Sequence, residues 1–166
     1  MPTKRRRKKA PRRRAQTRIR VQRGTRAREV PSDRRLRRWA RAACPQNADV
    51  TLRIVGLREA RSLNRTYRGR AYAPNVLSFA YARGRRVHGD IVLCHPVVLR
   101  EARTQGKTAA AHYAHLVVHG VLHLRGFGHA RRASATRMEV TERRILRGLG
   151  IPDPYVLPAH APRKAG

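Results

Sequence analysis

Forty Lys and Arg residues share this 166-residue chain with nine Asp and Glu, for a formal charge of +31. So few acids cannot neutralise the surface by ion pairing, and part of such a chain must repel itself. Whatever folds must therefore be held by apolar packing, with the densest cation runs outside it. Residues 1–14 include Lys4, Arg5, Arg6, Arg7, Lys8, Lys9, Arg12, Arg13 and Arg14, with no acid among them. Like charges at that density oppose compaction, so residues 1–16 read as a basic disordered tail suited to gripping phosphates. The remainder differs in kind. Hydrophobic residues make up 40% of the chain and fall in periodic blocks. A domain of about 150 residues can bury about two-thirds of the surface its unfolded chain exposes. One folded domain over 17–158, with a short C-terminal tail over 159–166, is the expected organisation.

The charge excludes an ordinary near-neutral enzyme surface and points to a polyanionic partner: RNA, DNA or an assembly containing them. Cys44 and Cys94 match no CxxC spacing, which fits neither a disulfide framework nor a zinc ribbon and suits a reducing cytosol. No apolar run approaches the roughly 20 residues of a membrane span. The basic N-terminus lacks the apolar stretch of a secretory signal. A soluble cytoplasmic protein with no membrane partner is expected.

Periodicity supplies the elements. Thr17–Gln22 alternates, with Ile19 and Val21 on one side, as an edge strand would. Ser32 and Asp33 open a helix reaching about Ala43, with Leu36 and Trp39–Ala40 on one stripe. Val50–Val55 reads as a strand covered at least partly on both faces, and Leu57 to about Tyr67 as a helix. Asn75–Tyr81 and Val87–Cys94 read as a hairpin across a short charged connection. Three helices follow: one opened by Pro96 and ended at Gly106, one from Thr108 through about Leu124, and one from about Ala133 to Leu149. The sum is a single α+β domain, a mixed sheet of about four strands packed with helices.

Five of the eight histidines lie within His112–His129. His119 and His123 are spaced i, i+4, so their rings leave one helix face about a turn apart and can grip one ion. Gly126 then breaks the helix and lets the chain turn back to present His129. Three neutral nitrogens and a water describe a zinc site with an open position, at the C-terminal end of a long helix. The run HxxxHxxGxxH matches the metal-binding helix of metzincin proteases except that Gly120 stands where the general-base Glu must be, which speaks against a protease. His112 and His115 read as satisfied core or surface residues, not ligands.

Several segments together resemble the YbeY-type ribosomal RNA maturation factors, metal-dependent endoribonucleases. The metal motif is His119-Gly120-Val121-Leu122-His123-Leu124-Arg125-Gly126-Phe127-Gly128-His129. Leu63-Asn64-Arg65-Thr66-Tyr67-Arg68-Gly69 is similar to the family's LNxxYRG segment, Asn75-Val76-Leu77-Ser78-Phe79 to its NVLSF strand, and Gly89-Asp90-Ile91-Val92 to its GDIV strand. Met138-Glu139, Glu142 and Asp153-Pro154-Tyr155 follow the closing helix and its DPY end. The likeness covers roughly residues 49–156. It implies a four-stranded sheet under helices and one zinc ion held by His119, His123 and His129. It also implies a catalytic role for Arg68 beside His119. Ser78 either faces the same pocket or is a structural strand serine. The implied substrate is ribosomal RNA on pre-ribosomal particles, with small-subunit ribosomal proteins as further partners.

The chain departs from that family where it lacks acids. Gly128 stands where the family has an Asp that would orient a ligand or a water, and Ala71, Pro74 and the run Ala130–Ser134 replace acidic or Thr positions. Two function classes remain. The first is a zinc-dependent, single-strand-specific endoribonuclease acting in maturation of the 16S rRNA 3′ end and in ribosome quality control. The second is a non-catalytic, zinc-containing RNA-binding assembly factor. A structural zinc normally has four protein ligands, and only three candidates stand here, which favours the enzyme.

Overall fold

A computed structural model describes residues 16–82, 86–128 and 132–156. The basic tail up to residue 15, the charged connection at 83–85, His129 and the C-terminal tail lie outside the described residues. In chain order the elements are β1 (Arg18–Arg23), α1 (Asp33–Ala43), β2 (Ala48–Val55), α2 (Leu57–Arg68), β3 (Val76–Ala82), β4 (Val87–Cys94), α3 (His95–Thr104), α4 (Ala109–Leu124) and α5 (Arg132–Gly148). The sheet runs β1-β2-β4-β3. β2 lies parallel to both β1 and β4, while β3 pairs antiparallel with β4. The expected edge strand and the expected antiparallel pair are both present, and the sheet is mixed.

Strand alternation sorts the apolar residues between two cores. Val50, Leu52 and Ile54 of β2 join Ile91 and Leu93 of β4 in the larger core, under α1 and α4. Val55, Val92 and Cys94 face the other way, onto Ala60 of α2 and Val97 of α3. β2 alternates Val50, Leu52 and Ile54 with Thr51 and Arg53, and is nonetheless largely buried on both faces. α1 is opened by the Ser32 hydroxyl, which accepts from the Arg35 amide, and Asp33 sits favourably in its first turn. Its buried stripe is Leu36, Trp39, Ala40 and Ala43, the i, i+3, i+4, i+7 face. Among the described residues, no helix is long and apolar enough to cross a membrane.

Two glycines bring α4 down onto the sheet. A Cβ on Gly120 would stand 2.8 Å from Ile91 Cγ2. One on Gly89 would overlap the Phe79 carbonyl oxygen and come within 2.8 Å of Leu124 Cδ2. Position 120 thus faces the core, and no larger side chain fits there without a shift of Ile91 or of the helix. The same close approach carries His119 and His123 to the side of the molecule bounded by the edge strand β3.

Candidate metal centre and its cleft

One side of α4 carries a column of imidazoles, buried His112 and half-buried His115, His119 and His123, at spacings of three and four residues. Their ring centroids close up along the column, from 6.3 Å to 6.0 Å to 4.5 Å. At its end, His119 Nε2 and His123 Nε2 are 3.0 Å apart. Two nitrogens bound to one ion at 2.0–2.1 Å each can be no more than about 4.2 Å apart. The donor set therefore fits a shared metal ion.

The other ring nitrogen of His119 is engaged from α5. His119 Nδ1 donates to Glu142 Oε1 at 2.6 Å, and Glu142 is fully buried. The Tyr155 hydroxyl donates to Glu142 Oε2. Burial pushes the Glu142 carboxyl up, but the rings of His115 and His119 and the Tyr155 hydroxyl more than offset it, holding the group at about 2. His115 Nε2 stands 3.6 Å from Glu142 Oε2, a longer contact than that of His119. Neither ring nitrogen of His115 has a hydrogen-bond partner among the described residues. His115, His119 and Glu142 bring ligand atoms within 4.8 Å of one another, a group that could itself hold a metal ion.

His119 and His123 open onto a cleft of about 530 Å³ whose walls also include Arg68, Asn75, Ser78 and Leu124. Arg68 is the last residue of α2, which Gly69 ends in the left-handed conformation at φ 66°, a conformation glycine adopts without strain. Its guanidinium Nη2 donates to the Ser78 carbonyl oxygen at 3.2 Å. The other motif residues hold this frame. The buried Asn64 side chain donates to the Tyr72 carbonyl at 2.8 Å and pins the α2–β3 connection. Asn75 donates to Glu101 at 2.9 Å, and Glu101 meets His112 Nε2 at 2.8 Å, tying the start of β3 to α3 and α4.

The structure thus brings Arg68, Ser78, His119 and His123 together, while His129 lies outside the described residues. A Cβ added at Gly128 would meet nothing within 4 Å, so crowding does not exclude the missing Asp. A satisfied core residue describes His112, buried and bonded to Glu101, but not His115, whose ring nitrogens lack a hydrogen-bond partner among the described residues and which stands in the Glu142 cluster. Sequence reasoning also passed over Glu142 and Tyr155. The signal for Glu142 was available: Met138, Glu142 and Leu146 form an i, i+4, i+8 stripe and all three are buried. A carboxylate on such a stripe, in a chain with nine acids, needs a reason.

A carboxylate bonded to the far nitrogen of a metal-binding His fixes its tautomer, and its loss typically costs 10–100-fold in metal affinity. Glu142→Gln should therefore weaken metal binding by about that factor, read by competition against a chelating dye. Unchanged affinity would show that Glu142 neither orients His119 nor binds the metal.

The chain matches the family model described as Endoribonuclease YbeY over residues 24–150. It is 54% identical over 125 residues to Endoribonuclease YbeY of Aromatoleum aromaticum, covering 75% of this chain and 81% of that one. To Endoribonuclease YbeY of Thiobacillus denitrificans it is 49% identical over 140 residues, covering 83% and 95%. Its fold is similar to the solution structure of TM1509 from Thermotoga maritima, with a TM-score of 0.50 at 20% identity, covering 86% of this chain and 99% of that one.

Proposed function

The chain belongs to the YbeY family of endoribonucleases, and from that premise we propose that it uses zinc to cut single-stranded RNA, in maturation of the 16S rRNA 3′ end and in ribosome quality control. Membership makes it an RNA-cleaving hydrolase. The observation that carries the fuller reading is the pair of imidazole nitrogens 3.0 Å apart in the cleft that Arg68 also lines.

His119 and His123 would hold the metal through Nε2, with His129 as the third ligand that the family resemblance implies. Glu142 supports this assignment over the one in which it binds the ion itself. Its carboxylate is fully buried and already engaged by His119 Nδ1 and the Tyr155 hydroxyl. Holding the proton on Nδ1 leaves the Nε2 lone pair directed at the cleft. When bound, zinc supplies a water with its pKa lowered towards about 7 and polarises a phosphoryl oxygen. Arg68 contributes the other charge. Its planar guanidinium can take two non-bridging oxygens of the scissile phosphodiester and hold them more strongly as charge builds in the transition state. The Ser78 carbonyl orients that guanidinium from one side. Scarce aromatics, 5% of the chain, leave phosphate contacts as the main grip, with little reading of base sequence.

The test is zinc content measured on the purified full chain alongside cleavage of matched single-stranded and duplex RNA. The reading expects about one zinc per chain and cleavage confined to the single strand. Zinc without cleavage of either would sink the nuclease reading in favour of a non-catalytic RNA-binding assembly factor.

A further inference from the structure

The exposed flank of α2 carries Arg58, Arg61, Arg65 and Arg68, at i, i+3, i+7 and i+10. These positions form one narrow stripe about 15 Å long at the helical rise of 1.5 Å per residue. Its last member is the arginine of the cleft. The first three line a separate groove with Leu57, Ser62 and Thr66. None of the four forms an ion pair among the described residues. The helix's acid, Glu59, leaves on the opposite flank and is tied to Arg53 at 2.6 Å. Like charges at i, i+3 and i+4 destabilise a helix, so the stripe carries a cost within the folded chain.

We propose that Arg58, Arg61 and Arg65 form a track for the phosphates of a single RNA strand, leading it along α2 to Arg68 and the metal cleft. The proposal rests on the nuclease reading for what happens at the end of the track. Three features select a nucleic-acid strand. The cations are in single file, they line a concave groove, and they run into the cleft where a phosphodiester would be held. A membrane surface fits less well, because an interfacial helix buries its apolar face in lipid. The apolar face of α2, with Ala60 and Leu63, is already packed in the smaller core. Phosphate contacts carry no sequence information, so the track sets direction and register.

The test compares the full chain with two triple variants by fluorescence anisotropy on a labelled 2′-O-methyl RNA strand, across a range of salt. Arg58→Ala/Arg61→Ala/Arg65→Ala removes the track and keeps Arg68. Arg34→Ala/Arg38→Ala/Arg41→Ala removes three exposed arginines of α1, in the other layer of the fold. Each phosphate neutralised on a single strand contributes about −0.7 to the slope of log K against log salt. The α2 variant should therefore lose about 2 from that slope and bind at least tenfold more weakly near physiological salt. The α1 variant should change affinity less than twofold. Equal losses in both variants, or none in the α2 variant, overturn the track. So does loss of binding to phosphatidylserine vesicles with RNA binding intact, which would make the stripe a membrane-facing surface. Because the readout is binding, failure of wild-type protein to cut RNA would sink the nuclease reading and leave the track standing.

Discussion

His123→Ala should strip the chain of its zinc and lower RNA cleavage by at least about a hundredfold, with the fold intact. The side chain is half-buried at the mouth of the cleft and belongs to neither apolar core. Truncating it leaves a gap open to water, so little stability is lost. His119 would keep its bond to Glu142 but lose the nitrogen 3.0 Å from its own Nε2. Elemental analysis, circular dichroism and a gel assay on one preparation read all three consequences. His88→Ala is the control, an exposed histidine packed edge-on against Tyr81; it should keep both zinc and activity. His115→Ala separates the two possible ligand sets. Zinc retained in His123→Ala and lost in His115→Ala would move the ion to the His115, His119 and Glu142 group and overturn His123 as a ligand.

Arg68→Ala should keep a full complement of zinc and near-wild-type stability while cleavage falls by about 10²–10³. Arg68 is exposed, and its hydrogen bond within the described residues goes to the Ser78 carbonyl. Surface substitutions of this kind usually change stability by no more than about 0.5 kcal/mol. What is lost is a donor aimed at charge that develops in the transition state, so kcat should fall far more than affinity for uncleavable RNA. Arg68→Lys is the informative partner. It keeps the charge and loses the planar two-pronged donor, so recovery of activity should be small. Full activity in Arg68→Ala removes the arginine from the mechanism; equal losses of zinc and cleavage would make its role structural.

Much of this architecture was legible in the chain because it rests on local rules. The apolar stripe of α1, the alternation in β2, the Ser32 cap and the Gly106 stop are each decided within a few residues. The pairing of His119 with His123 is equally local, one helical turn on one face. Even the absence of a protease base at Gly120 was visible, although its cause was not: Ile91, 29 positions earlier in the chain, occupies the space.

Glu142 shows where local reading stops. Its place on the buried stripe of α5 marks it as unusual, but its partner His119 lies 23 residues away on another helix. No spacing rule links two helices whose packing is set by the whole core. The same holds for Arg68, which pattern alone cannot single out among forty Lys and Arg residues. Family resemblance singled it out, and the tertiary structure sets it beside Ser78 and the two histidines. The sequence by itself determined the elements, the mixed α+β class and the placing of His119 and His123 on one helix face, because periodicity and capping act over one or two turns. Only the tertiary structure decided which carboxylate meets His119, that His115 stands beside it, and that Arg68 at the end of α2 lines the cleft. Those contacts join residues far apart in the chain, and the packing of helices against the sheet chooses them.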